Sequence, residues 1–275
     1  MNLADRTTDD LRSAATPQAR LRVAGISVDA VSHEDVLSAV RRAVRLGESL
    51  RIHTLNVDHV VVAHQRPSFK SVIESADLVV PDGMPIVWAM RAQGGKVARI
   101  TGVDLSESLF FAEEGFRIFL LGGEDGVAAK VAERMAGLGV PAALVGIGCP
   151  TREELLSDSG CRDIVTVVNA SGADVLLVAL GAPVQEEWLT RYGGQLVVPV
   201  RIGVGATFDF LSGRLKRAPK FVQRVGMEWL FRIFQDPGRL LKRYLGRDWR
   251  FFWLMIKYSR LYSMRGNSVG GRSHQ

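Results

Sequence analysis

Apolar and polar positions alternate in blocks along the chain. Two unbroken apolar runs, IFLL at 118–121 and VLLVAL at 175–180, are short and carry no polar face. Such runs predict strands buried on both sides, and therefore parallel strands covered by helices. Strands are predicted over Arg22–Val28, Arg51–Leu55, Leu78–Val80, Arg117–Leu121, Ala142–Gly146, Val175–Leu180 and Val197–Ile202. Between them lie helical stretches, predicted over Ser32–Leu46, Val57–Gln65, Met84–Ala92, Asp104–Glu114, Gly126–Leu138, Glu153–Ser171 and Val184–Tyr192. The alternation predicts an α/β fold over residues 21–213: a Rossmann-like, largely parallel sheet with helices on both faces.

The pattern changes after Gly213. Residues 220–235 read as an amphipathic helix with Phe221, Val225, Trp229 and Ile233 on its apolar side, and Asp236-Pro237-Gly238 breaks it. A second helix is predicted from Leu240 toward Tyr262, with an interruption near Gly246, and no strand follows. Residues 214–265 therefore form a C-terminal helical appendage. They also hold most of the positive charge: this segment carries a net +11, against +6 for all 275 residues. A basic block of this kind implies an anionic partner. Within it Arg250, Lys257 and Arg260 share one side of a helix, beside Phe252, Leu254, Met255, Ile256 and Tyr262. That combination reads as binding to an anionic membrane surface, with packing against the α/β domain or against a second copy in a homo-oligomer as the competing reading.

Composition narrows the rest. With 47% hydrophobic and 23% charged residues the chain can bury a large core, which excludes global disorder. The polar ends, residues 1–20 and 266–275, are expected to be disordered tails. No run approaches the roughly 18 apolar residues of a membrane span, and the first twenty residues have no apolar core of a signal peptide. The two cysteines, Cys149 and Cys161, make no disulfide framework. The expected location is the cytoplasm, peripheral on the inner face of the plasma membrane.

Several chemistries lack their motifs. There is no GxxxxGK[ST] phosphate loop, no HExxH and no Cys/His cluster at zinc spacing. Gly203-Val-Gly205-Ala-Thr-Phe208 starts like a dinucleotide fingerprint but has Phe where the third glycine belongs. No Asp-x-Asp is present to hold a metal on a diphosphate, so neither a metal nor a cofactor is expected. What remains is a set of polar and glycine-rich strand ends, where ligands of open α/β sheets bind. Thr54-Leu-Asn56 and Pro81-Asp82-Gly83 each close a strand and open a helix, although helix capping accounts for either one alone. Gly122-Gly123 and Gly181-Ala-Pro183 follow two further strands and would let backbone N–H groups approach a phosphate; tight turns are the alternative. Gln185 and Glu186 sit in the next helical turn, where Glu is favoured by the helix dipole and Gln could meet uracil or sugar hydroxyls. The basic run Arg214–Pro219 adjoins the Gly203–Gly205 turn and could reach a diphosphate.

These segments, taken in order, resemble the WecG/TagA/CpsF glycosyltransferases of bacterial cell-envelope polysaccharide synthesis. The matching stretches are TLN (54–56), ADLVVPDGMPIV (76–87), RITGVDL (99–105), FLLGG (119–123), GAPVQEEW (181–188), GVGATFDFLSG (203–213), RAP (217–219), EWLFRI (228–233) and DPGRLLKRY (236–244). Val184 stands where the family usually has Lys. The resemblance implies metal-free, inverting transfer of a sugar from a UDP-sugar to a polyprenyl-diphosphate-linked saccharide at the cytoplasmic membrane face. It implies Asp82 as the base, with Thr54 and Asn56 beside it. Gln185, Arg217, Arg232, Arg239 and Arg243 are then substrate contacts, joined by Glu186, Gly122, Gly123, Gly181, Gly203 and Gly205 from the loops above. Two rivals remain at this level. A Rossmann-type nucleotide-sugar oxidoreductase or epimerase would carry a nicotinamide, against which the broken glycine fingerprint speaks. A non-enzymatic module binding membrane or nucleic acid through the basic segment would have no use for the polar strand ends; the aromatics there favour lipid over nucleic acid.

Overall fold

The computed structural model describes residues 20–224, 227–235, 237–238 and 244–258. The expected tails, except Arg20, lie outside the described residues. The chain opens with a hairpin, β1 (Arg20–Val23) and β2 (Ile26–Asp29), rather than one strand over Arg22–Val28. Ala24 and Gly25 turn it with φ of 48° and 81°, the positive values of a tight two-residue hairpin turn. Helix α1 (His33–Leu46) follows, started by a capping box between Ser32 and Asp35 and stopped by left-handed Gly47.

The sheet holds β3 (Leu50–Leu55), β4 (Leu78–Pro81), β5 (Arg117–Gly122), β6 (Ala143–Gly148), β7 (Val175–Ala179) and β8 (Val200–Gly203). All five pairings are parallel, in the order β4-β3-β8-β7-β5-β6. Every residue of β7 is buried, as its apolar run required, and so is every residue of β8, Arg201 included. Helices cover both faces. On one side lie α1, α5 (Gly102–Phe110), α6 (Val127–Gly137) and α10 (Thr207–Leu211). The other side carries α2 (Val57–Gln65), α3 (Pro67–Glu74) and α4 (Met84–Arg91), together with α8 (Asp158–Ala170) and α9 (Val184–Tyr192).

Two details differ from the pattern reading. Helix α3 was absent from it; Pro67, which looks like a stop after α2, occupies the first turn of a new helix that buries Phe69 and Ile73. The helix predicted over Glu153–Ser171 is two, α7 (Arg152–Leu156) and α8. The Ser157 hydroxyl accepts from the Gly160 N–H at 3.0 Å, a cap that starts the second one.

Beyond Gly213 the described chain contains α11 (Lys220–Arg224), α12 (Glu228–Gln235), a π turn (Tyr244–Asp248) and a helix α13 over residues 250–258. The amphipathic stretch 220–235 is thus carried by two short helices. Helix α13 presents Phe251, Leu254, Met255 and Tyr258 to the cluster formed by the hairpin, α2, α3 and α4. Trp249 just before it, then Phe252, Trp253 and Ile256, face outward with Arg250 and Lys257. Leu254 and Met255, expected beside the basic residues of an open face, pack inward; Arg260 and Tyr262 lie outside the described residues. Arg247 in the π turn pairs with Asp58 at the start of α2. Phe251 is only 2% exposed. Phe251→Ala should cost about 3 kcal/mol, the low end for such a truncation because a helix on the surface can settle inward. A urea unfolding midpoint unchanged from the wild type would show that α13 adds nothing to the core.

Candidate active site

Parallel strands expose their C-terminal ends along one edge of the sheet, and the polar strand ends meet there. Asp82 follows β4, Asn56 follows β3, Gly203–Gly205 ends β8, Gly181 follows β7 and Gly122-Gly123 ends β5. The Asp82 N–H donates to the Leu55 carbonyl at 2.8 Å, so the ends of β3 and β4 are held side by side.

Each of the other residues is fixed by a local reason. The Thr54 hydroxyl donates to the Gly203 carbonyl at 2.9 Å, which ties β3 to β8 in a fully buried position. Asn56 caps α2: its side-chain oxygen accepts from the His59 N–H at 3.3 Å. Gln185 and Glu186, in the first turn of α9, are 1% and 0% exposed. The Gln185 amide nitrogen donates to Glu186 at 2.5 Å, and its oxygen accepts the Gly205 N–H at 3.1 Å. Gln185 therefore holds the Gly203–Gly205 turn from beneath. A Cβ on Gly203 would approach the Gln185 amide to 3.0 Å, so any larger residue there would press on Gln185.

At Gly122 (φ 101°) a Cβ would come within 2.6 Å of the Ala179 carbonyl oxygen, so this glycine is demanded by the chain itself. Phe208, at the third position of the broken fingerprint, is buried and lies 3.3 Å from where a Cβ on Gly123 would be. It fills the space between the ends of β8 and β5. Gly181 and Gly205 have positive φ and nothing within 4 Å of an added Cβ, so their turns border open space.

The C-terminal helices close the cleft with charge. Arg232 on α12 lies over the Phe210 ring, 4.7 Å from its centre. Glu228, one turn earlier, pairs with Arg99 at 2.5 Å, and both side chains are largely buried. Arg217 pairs with Asp104 at 2.7 Å, and Arg99 and Arg217 also share the Gln223 side-chain oxygen at 3.1 and 3.4 Å. The anchor of this group is the start of α5, where Asp104 also accepts from the Thr101 hydroxyl at 2.7 Å. Arg239 and Arg243 lie outside the described residues.

Asp82 answers to all of this. Burial pushes its pKa up to about 6; Arg232 and Arg99 oppose the rise, Glu228 adds to it and His59 opposes it. A carboxyl with that pKa, in a partly open cleft and in the field of two guanidiniums, is suited to accept a proton near neutral pH.

A family model described as the glycosyl transferase WecG/TagA/CpsF family matches residues 21–265. The chain belongs to that family. It is accordingly a glycosyltransferase. In this glycosyltransferase the matched region takes in the whole sheet and the basic C-terminal helices, so Asp82 and Arg232 both fall within it. Three residues of the cleft did not emerge from sequence patterns: His59, Arg99 and Glu228. His59 is hidden as the third residue of a helix, a position where a capping-box partner was the available signal. Arg99 and Glu228 stand 129 positions apart, and only the fold joins them. Among the described residues no group of three or more His, Cys, Asp and Glu gathers in a way that could hold a metal ion. Nor is any described helix long and apolar enough to cross a membrane.

Proposed function

We propose that this chain is a metal-independent, inverting glycosyltransferase moving a sugar from a UDP-sugar to a polyprenyl-diphosphate-linked saccharide, in exopolysaccharide, teichoic acid or related surface-glycan synthesis. The observation that carries this reading is Asp82: a carboxyl whose pKa is pushed up to about 6 at the sheet's ligand edge, in the field of Arg232 and Arg99. In a single displacement the acceptor hydroxyl oxygen bonds to the anomeric carbon and its proton passes to Asp82. The bond from that carbon to the diphosphate oxygen breaks, and UDP leaves with the electron pair. Arg232 and Arg99, with backbone N–H groups of the glycine turns, supply the positive charge that the leaving diphosphate needs without a metal. The test is incubation with a panel of UDP-sugars and a short-chain polyprenyl-diphosphate saccharide, with and without EDTA, read by mass spectrometry. Transfer from one donor, undiminished by EDTA, supports the reading; transfer that is lost on chelation and restored by Mg²⁺ or Mn²⁺ overturns the metal-free part.

The pH profile follows from the same carboxyl. The base works ionised, so kcat/KM should rise with pH through about 6 and level off above it. Glu228 raises the Asp82 pKa, so Glu228→Gln should move the acid limb to lower pH. The released Arg99 would reinforce that direction. A limb that stays in place, or moves upward, would separate Glu228 from the base.

The outward face of α13 supports attachment to the cytoplasmic face of an anionic membrane. Trp249 and Trp253 are 53% and 65% exposed beside Arg250 and Lys257. Aromatic rings next to basic residues suit the boundary between headgroups and acyl chains, and each basic residue near such a surface adds about 1 kcal/mol. Replacing both tryptophans with Ser should release the protein from anionic liposomes at low salt and leave transfer to a soluble acceptor within about threefold. Flotation equal to the wild type would move the membrane contact elsewhere.

A further inference from the structure

Behind the cleft runs one buried chain of hydrogen bonds whose central residue, His59, has so far entered only through its influence on the Asp82 pKa. The Asn56 N–H donates to His59 Nδ1 at 3.4 Å, while the His59 N–H caps the Asn56 side chain. His59 Nε2 meets Glu186 Oε1 at 3.0 Å. That same oxygen receives the Gln185 amide, whose other end holds the Gly205 N–H. His59 and Glu186 are 2% and 0% exposed, and Glu186 Oε2 has no hydrogen-bond partner among the described residues.

A buried pair of this kind is a poor way to stabilise a fold. Taking both groups out of water offsets most of their attraction, and an orphaned carboxylate oxygen adds to the cost. What the pair supplies is direction. It joins the end of β3, through α2 and α9, to the turn after β8, so the two loops facing the cleft are held at one separation. It also uses the Asn56 side-chain oxygen and backbone, and leaves the Asn56 amide nitrogen with no acceptor among the described residues. Because Nδ1 accepts the Asn56 N–H, the ring proton sits on Nε2 and faces the Glu186 carboxylate. Burial lowers the His59 pKa, but Glu186 first, then Asp58 and Asp82, leave it raised overall.

We propose that His59 is a positioning residue for sugar transfer: through Glu186 and Gln185 it locks the Asn56 amide and the Gly203–Gly205 turn into one arrangement around the donor. This rests on the transferase reading above. The packing of the ring against Phe69, centres 6.2 Å apart, offers the contrary explanation that His59 merely fills space.

The two explanations separate in steady-state kinetics on the full chain, with the donor and acceptor that the wild type uses. Wild-type protein that transfers no sugar would count against the functional reading; the variants test the present inference only where the wild type turns over. His59→Leu keeps apolar volume and loses the network, and should lower kcat about 10²-fold, the scale of a misplacement near 1 Å. His59→Gln, whose amide can still reach Glu186, should recover activity to within about tenfold of the wild type. Calorimetry with UDP, which lacks the sugar, should give a Kd within about threefold of the wild type for both. Since Leu alone strands the Glu186 charge, a double variant, His59→Leu with Glu186→Leu, removes that carboxylate together with the ring and should restore the melting temperature while kcat stays low. If either folded Leu variant turns over within threefold of the wild type, or if Gln is no better than Leu, His59 is a packing residue and the inference is wrong.

Discussion

Asp82→Asn should abolish transfer and make the protein more stable. Asn keeps the shape of the side chain but cannot take the acceptor proton, a role that contributes roughly 10²–10⁴-fold to rate. The stability follows from the same burial that creates the base. Asp82 has its folded pKa raised to about 6 from the ordinary 3.8, so the fold favours the neutral acid. Its contribution to stability is fully present below the unfolded value and is lost as pH rises through about 6. At pH 7 the ionised carboxylate therefore costs the fold something, at most about 3 kcal/mol from that pKa difference, and less because Asp82 is partly exposed. Asn carries no charge and escapes the cost. The melting temperature of Asp82→Asn should exceed the wild type by a few degrees at pH 7, with the gap closing toward pH 4. Transfer within tenfold of the wild type would remove Asp82 from the role of base. A melting temperature lower at pH 7 than that of the wild type would show that Asp82 is held by compensating contacts instead.

How far the sequence carried is visible in particular elements. The parallel sheet was legible because VLLVAL and IFLL have no polar face, and only a strand covered on both sides tolerates that. Helix α2 was read to the residue, since Asn56 stops the strand and starts the helix at one position. The hairpin at β1–β2 was missed because Ala24-Gly25 sits inside a stretch that alternates like a single strand. In the cleft, Asp82, Asn56 and the glycine turns were legible as strand ends. Gln185 was read as facing a ligand, and its amide is taken up by Glu186 and Gly205. No local pattern announces that, because the partners are the neighbouring residue and one 20 positions away in the turn after β8. Arg217 likewise was read as a diphosphate contact, and in this state it is paired with Asp104 at 2.7 Å. Whichever anion binds there has to compete with a carboxylate supplied by the chain itself.

Arg232 is the basic residue for which that competition is least. Its guanidinium lies over Phe210, and it is the charge that most strongly opposes the rise in the Asp82 pKa. Arg232→Ala is accordingly expected to act twice. Loss of a preorganised cation at the leaving diphosphate should lower kcat by about 10²–10³-fold. Loss of its field should also let the Asp82 pKa climb, so the acid limb of kcat/KM moves to higher pH, opposite to the shift for Glu228→Gln. Lys at this position keeps the charge but not the planar face that lies over Phe210, and should recover the pH limb more fully than kcat. The pair of profiles is decisive because a damaged fold would lower both parameters without moving the limb. Wild-type kcat with an unshifted limb in folded Arg232→Ala would take Arg232 out of the cleft chemistry and leave Arg99 as the other guanidinium acting on the base.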